Sequence, residues 1–240
     1  MKYKIAGGLL ALAGLCSGMH ASAASLQMYP VTVNFCKGAS VAAVYVKNTG
    51  EENIGAQLRV YRWQQQNHQD LMNPTSELVV SPPITSIPPG KEQLVRVISP
   101  APIASGGPEK SYRLLIDELP QNNAAHSSEQ VHFLLRYSVP VFFSCPEQKP
   151  DLSAIHASLD SASNRRRLVI RNSGATHIKL SRVSIESGGK SYLISKGLFG
   201  YVLPGSEMTW DLPNSVPAGT SLTATLGNNA TSQTIPLTRQ

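Results

Sequence analysis

The sequence predicts an all-β protein built from antiparallel sandwiches, and three observations carry the prediction. Apolar residues recur with period two in short runs. No window after the first two dozen residues holds a sustained 3.6-residue apolar stripe. Gly, Pro, Asn and Asp fall between the runs, where turns need them. Alternation gives each run one apolar face, and such a face must be covered by a second layer.

In chain order, the first element stands apart. Lys2 and Lys4, the apolar run from Ile5 to Leu15, and Ala21, Ser22 and Ala23 read as a secretory signal peptide over residues 1–23. The mature chain is therefore expected to be exported. No later stretch approaches the ~20 apolar residues of a membrane-spanning helix, so no membrane insertion is expected. Cys16 falls in the signal, which leaves Cys36 and Cys145. An even pair in an oxidising compartment predicts one disulfide, Cys36 to Cys145.

The runs then follow as "SLQMYPVTVNF", "SVAAVYVKN", "GAQLRVYRWQ", "EQLVRVIS", "SYRLLIDEL" and "VHFLLRYSVPVFF", with "NTGEEN", "IPPGKE" and "SGGPEK" as turns. This spacing fits a sandwich of immunoglobulin type. Two prolines and charged residues break the rhythm in "CPEQKPDLS", and the domain boundary is placed there, between residues 24–147 and 148–240. Strands resume with "RRLVIRNSG", "HIKLSRVSI", "KSYLISK", "EMTWDLP", "SLTATLG" and "SQTIPLT", a second and smaller sandwich. "VYVKNTG" and "LVIRNSG" share a strand, Asn, Gly step, one in each half.

The motifs of chemistry are missing. The six histidines lack the H-x-x-x-H and H-x-H spacings that would set two imidazoles on one metal, and read as loop or surface residues. There is no G-x-S-x-G elbow and no phosphate-cradling glycine loop. Asp117 and Glu118 are adjacent on a strand, so they point to opposite faces. An enzyme is disfavoured, and neither a cofactor nor a metal is expected. The net charge is +6, of which Lys2 and Lys4 supply two. Arg165, Arg166 and Arg167 read as the solvated entry to a strand, so no nucleic-acid partner is expected. The sequon at Asn229 reads as a coincidence of turn residues.

"VHFLLRYSVPVFF", residues 131–143, is the exception in length. Val131, Phe133, Leu135, Tyr137, Val139, Val141 and Phe143 share one face. Fully extended it would measure about 43 Å, against the ~17–20 Å of an ordinary strand. Pro140 lacks an N–H, which confines it to an edge or a bulge. Either the strand switches sheets at Pro140, or Val131, Phe133 and Leu135 form an exposed apolar edge for another chain. The polar stretch "QNNAAHSSEQ" leads directly into it.

The series "SPPITSIPPGKEQLVRV", "SYRLLIDELP", the strand ending "VPVFF", "LVIRNSG" and "GYVLPGSEMTWDLP" resembles the periplasmic chaperones of the chaperone-usher pathway of pilus assembly, the PapD-like superfamily. Within it the sequence is most similar to the archaic, Csu-type branch. The resemblance implies two immunoglobulin-like domains in an L or boomerang, located in the periplasm. It also implies donor-strand complementation: the chaperone lends a strand to an incomplete pilin subunit and delivers it to an outer-membrane usher. Val131, Phe133 and Leu135 match the donor positions, and Tyr137 counts as a fourth. Burial of three such side chains is worth very roughly 5–9 kcal/mol before association costs. The free chaperone would have this edge to cover, by self-association among other means.

The resemblance further implies that basic side chains in the interdomain cleft hold the subunit's C-terminal carboxylate. The family's Lys position falls near Pro140 and its first-strand Arg near Thr32, so this chain departs from the pattern at both. Arg113 and Arg136 are the anchor candidates, with Arg96 third. The rival reading from another class is an exported carbohydrate-binding or adhesin-like sandwich, for which only "GLFGYV" at 197–202 offers clustered aromatics.

Overall fold

The computed structural model describes residues 26–36, 38–101, 107–120, 133–145, 151–160, 166–227 and 231–239. These residues are almost entirely strand, with no α-helix among them. In the N-terminal half, one sheet has the order β1 (Leu26–Tyr29), β3 (Val41–Asn48), β8 (Glu92–Ile98), β6 (Val79–Ser81). The facing sheet runs β2 (Val33–Asn34), β10 (Arg136–Phe142), β9 (Ser111–Leu119), β4 (Ile54–Gln66), β5 (Gln69–Pro74), with β7 (Ile84–Ile87) also paired to β4. Period two works here as expected. Val44 and Val46, Val95 and Val97, Leu114 and Ile116, and Val139 and Val141 all point into one buried cluster between the sheets.

The chain crosses from the first sheet to the second between Tyr29 and Val33. β1 thus pairs antiparallel with β3, whereas β2 runs parallel to β10 through Val33 opposite Val141 and Asn34 opposite Phe142. Strand β2 therefore covers only the end of β10. Along Arg136 to Pro140 no strand lies on the outer side of β10 among the described residues.

The predicted strand over 131–143 is shorter than expected. Its ladder begins at Arg136, opposite Asp117. One further backbone bond runs from Glu118 N to Leu135 O at 2.9 Å, but β9 ends at Leu119 and Pro120 follows, with no N–H to give. Phe133 and Leu134 continue past the sheet. The expected donor position Val131 lies outside the described residues, as do the signal segment, the polar stretch 121–130 and the 147/148 boundary.

The C-terminal strands follow the order β14 (Lys190–Val202), β13 (Ile178–Ser187), β16 (Ser221–Leu226), β17 (Ser232–Arg239), β11 (Ile155–Asp160), β12 (Arg167–Asn172), β15 (Glu207–Asp211). β17 joins the two layers: its first part pairs antiparallel with β16 and its last residues parallel with β11. Strands β5, β6 and β7 are not legible as period-two runs, since they are short, polar or interrupted by proline; β11 does alternate, with Ile155, Ala157 and Leu159 in the core, although it stands outside the runs picked out above. β14 runs on through "GLFGYV", which is strand and not a loop end. The opposing β13 bulges where Arg182 takes φ 49°.

Cys36 and Cys145 form a disulfide, with Cα atoms 4.7 Å apart. The bond ties the chain just after β2 to the chain just after β10.

The shared Asn, Gly step is one device used twice. Asn48 is fully buried; its Nδ2 donates to Glu52 O at 2.6 Å and Ile87 O at 2.8 Å, while its Oδ1 accepts from Gly50 N at 2.8 Å. Asn172 repeats the set on Thr176 O at 2.8 Å, Val202 O at 3.0 Å and Gly174 N at 2.9 Å. In each half one amide closes the turn after a core strand and ties it to a distant strand. Removing it strands backbone groups in the interior.

Two outcomes are expected. Asn48→Ala and Asn172→Ala should each cost about 2–4 kcal/mol in urea unfolding, because each leaves several buried backbone groups unpaired. Reducing the disulfide, which closes 109 residues of chain, should lower the melting temperature of the free protein, consistent with ~4–5 kcal/mol on the chain-entropy account.

Candidate functional site

Two features of β10 stand out: its open outer edge and the row of side chains at its inner end. The edge is set by strand geometry. Glu118 N to Leu135 O and Phe143 N to Lys110 O, at 2.9 and 3.1 Å, turn the backbone groups of the odd-numbered residues toward β9. Those of Arg136 and Ser138 consequently face the open side. Pro140 belongs to the same set, so its missing N–H costs no ladder bond and leaves a gap in the edge just before β2 takes over.

Side chains along this strand grade from core to solvent. Val139 and Val141 are buried, and Tyr137 and Leu135 are partly buried against the same core. The Tyr137 hydroxyl donates to Leu26 O. Phe133 is 83% exposed. Of the expected donor positions that are described, Phe133 alone projects wholly free of its own sandwich.

The two anchor candidates are not brought together. Arg136 lies opposite Asp117 and Arg113 lies opposite Pro140, four positions along the ladder and about 13 Å away. The Arg136 Nε donates to Asp117 Oδ1, and Arg59 Nη2 holds the other oxygen at 2.5 Å. Burial raises the Asp117 pKa, but the hydrogen bonds from Arg136 and Arg59 outweigh it, and the carboxyl titrates below its ordinary 3.8. Arg136 is thus engaged in an ion pair within the sheet. Arg96 stands opposite Ala43 and Ser81, exposed on the other sheet.

Arg113 is placed differently. One step back along the parallel register of β2 and β10, Thr32 comes beside Pro140, so Thr32, Pro140, Arg113 and Tyr61 form one row across the strands. Thr32 and Pro140, the two positions where the resemblance implied a cation that this sequence lacks, are therefore neighbours of Arg113. Its guanidinium carbon lies 3.6 Å over the Trp63 ring and 5.3 Å from the centre of the Tyr201 ring. No carboxylate among the described residues comes within ion-pairing distance of it. Burial pushes its pKa down, only partly offset by Asp70, whose Oδ1 accepts from Trp63 Nε1 and Gln65 Nε2, each at 2.9 Å.

The row faces the seam between the sandwiches. Trp63 and Phe142 from the first half pack with Tyr201 and Leu203 from the second. Gln65 bridges the seam, donating to Tyr201 O at 3.0 Å and accepting from Leu203 N at 2.8 Å. His177, expected on the surface, stacks on Phe142 with ring centres 3.5 Å apart and meets the Glu109 carboxylate at 2.8 Å. The hairpin between β4 and β5 turns through Asn67 and His68, both at positive φ, and His68 reaches Thr209 at 3.2 Å. Trp63, Gln65, His177 and Glu109 were not singled out from sequence, and Tyr201 only within the aromatic stretch "GLFGYV". The other signal was Trp63, a large aromatic on the face of β4 opposite the core.

A family model described as "Pili and flagellar-assembly chaperone, PapD N-terminal domain" matches residues 25–148. No curated protein matches the sequence. Among solved structures, the fold is similar to a chain of the CsuC–CsuE chaperone–tip adhesion subunit pre-assembly complex from the archaic chaperone-usher Csu pili of Acinetobacter baumannii. That match has 24% identity and a TM-score of 0.68, and covers 90% of this chain and 100% of the other. It is also similar to the CupB2 chaperone of Pseudomonas aeruginosa, with 18% identity, TM-score 0.60 and coverage of 88% and 100%. A third similarity is to the Salmonella enterica SafA pilin–SafB chaperone complex, with 17% identity, TM-score 0.62 and coverage of 89% and 96%.

The Asp117 cluster has a defined pH signature. Its folded pKa is depressed, so the stability it contributes is present above the unfolded value near 4 and is lost as pH falls through the lower folded value. Urea unfolding of Asp117→Asn should therefore be less stable than wild type at pH 7, with the difference narrowing steadily below pH ~4.

Proposed function

Because residues 25–148 carry its N-terminal domain, this chain belongs to the PapD family of pilus-assembly chaperones, and we propose that it caps pilin subunits by donor-strand complementation. On this reading it works in the periplasm and passes the capped subunits to an outer-membrane usher. The observation that carries it is the open edge of β10 running on into an exposed Phe133. An incoming strand would bond to the outward backbone groups of Arg136 and Ser138, and Pro140 would end that ladder. Phe133 with Val131 and Leu135 would enter the subunit's unfilled core, and Tyr137 would remain the hinge between lent strand and own core.

Arg113 is the preferred anchor for the subunit's C-terminal carboxylate, since it is half-buried, no carboxylate among the described residues forms an ion pair with it, and Asp70 offsets its burial only in part. Leaving a desolvated guanidinium unpaired is costly, and an incoming carboxylate removes that cost. Arg136 is the weaker candidate because Asp117 already holds it. The carbohydrate-binding alternative loses its one motif, as "GLFGYV" lies inside β14. Self-association of the free chaperone would use the same β10 edge.

Periplasmic co-expression with a candidate pilin subunit, followed by affinity recovery of the pair, tests the reading. Phe133→Arg should abolish recovery, and Arg113→Ala should reduce it about tenfold or more, the equivalent of one lost charge-assisted contact. Phe133→Leu should recover most of the complex. Wild-type recovery with Phe133→Arg would refute the donor assignment.

A further inference from the structure

The carboxylate site around Arg113 is built with one cation, and the question is what supplies its other contacts. We propose that the Tyr201 hydroxyl, supported by Thr32, is the second donor of this site, so that both sandwiches together bind the ligand's carboxylate. The proposal rests on the reading of Arg113 as the subunit anchor and adds the partner residues of that anchor.

Four observations carry it. The Trp63 face fixes the plane of the guanidinium, and Asp70 fixes Trp63, so the fork of donors is presented in one orientation. Pro140, directly opposite Arg113, offers no N–H and no charge, and Thr32 beside it offers only a hydroxyl. Tyr201 is buried, 8% exposed, and its hydroxyl is hydrogen-bonded with Thr32. Burial holds the Tyr201 pKa above its ordinary 10, so the phenol stays a neutral donor at physiological pH. A planar guanidinium flanked by neutral hydroxyls matches a monoanionic, two-oxygen ligand. A dianionic phosphate would leave a charge uncompensated.

The site is also conditional on docking of the two halves. Tyr201 comes from β14, and its backbone is pinned across the seam by Gln65. If the halves part, Arg113 keeps Trp63 but loses the second donor. Binding of a carboxylate should then favour the docked arrangement by the same factor that docking favours binding.

Acetate, the minimal carboxylate, is the probe. In 1H–15N spectra of the full mature chain, the Trp63 indole and Arg113 Nε–H signals should shift saturably with sodium acetate, beyond any shift caused by sodium chloride at matched ionic strength. Arg113→Ala should remove the response. Tyr201→Phe, which keeps the ring and its packing, should weaken acetate binding about five- to tenfold with little change in the unfolding midpoint, as expected for one lost hydrogen bond to an anion. Thr32→Val should weaken it less. Wild-type acetate affinity in Tyr201→Phe overturns the proposal, as does equal response to chloride, which would indicate an adventitious ion only. Pilin recovery separates the two levels: if Arg113→Ala recovers pilin like wild type, the anchor reading fails. If Arg113→Ala loses pilin while Tyr201→Phe keeps both pilin and acetate, only the role of Tyr201 fails.

Discussion

The constraint on which the rest depends is that β10 is a core strand at one end and, among the described residues, an unpaired edge at the other. An edge strand with free N–H and C=O groups is unstable against aggregation unless short, covered or used. In this chain the inner end is tied four ways. β2 pairs with it, the disulfide closes behind it, Phe142 stacks on His177, and Val139 and Val141 fill the core. Those ties let the outer end continue into Phe133, with no strand paired beside it among the described residues, while the sandwich remains closed. Pro140 marks the changeover between the two regimes, because a residue without an N–H neither strains the β9 ladder nor extends the open edge.

The seam between the sandwiches serves the same end. Phe142 is at once the last residue of β10 and part of the buried aromatic cluster with Trp63, Tyr201 and Leu203. The C-terminal sandwich therefore grips the root of the projecting strand. Glu109, just before β9, and His177, just before β13, add a second grip on the strands flanking that root. A two-sandwich chain is in this sense one device: the second half positions the first half's edge and closes the wall over Arg113.

Much of this was legible in the sequence, and the limits are physical. Period-two alternation located the core strands, since each places Val, Leu or Ile on one face. It failed for β5, β6 and β7, where edge position or brevity removes the need for an apolar face, and it passed over β11, whose Ile155, Ala157 and Leu159 alternate directly after the Pro-rich break. It also overextended β10, because alternation reports a face and says nothing of a hydrogen-bonding neighbour, which Pro120 withdraws. Cysteine parity was enough for the disulfide. The seam was illegible: Gln65, His177 and Glu109 are polar and read as surface, and only tertiary contact reveals that they are shared between halves. The shared Asn step was visible as seven residues in each half, but its identity as one hydrogen-bonding device needed Ile87 and Val202, which no local pattern ties to it.

The placement of Arg113 follows from the same geometry. Had the cation stood at Pro140, it would occupy the edge strand itself and move with it. On β9 it stands one strand inward, held by pairing on both sides, by Tyr61 of β4 across one ladder and Pro140 across the other. Stacking on Trp63 then replaces the freedom of a long cation with a fixed plane, which favours a planar, two-oxygen ligand over a point charge. The penalty is burial of a guanidinium that Asp70 offsets only in part, and on the proposed reading a subunit carboxylate would relieve it. On the proposed reading register would follow: a chain end held at Arg113 would set each apolar residue upstream against the alternation that leads to Phe133.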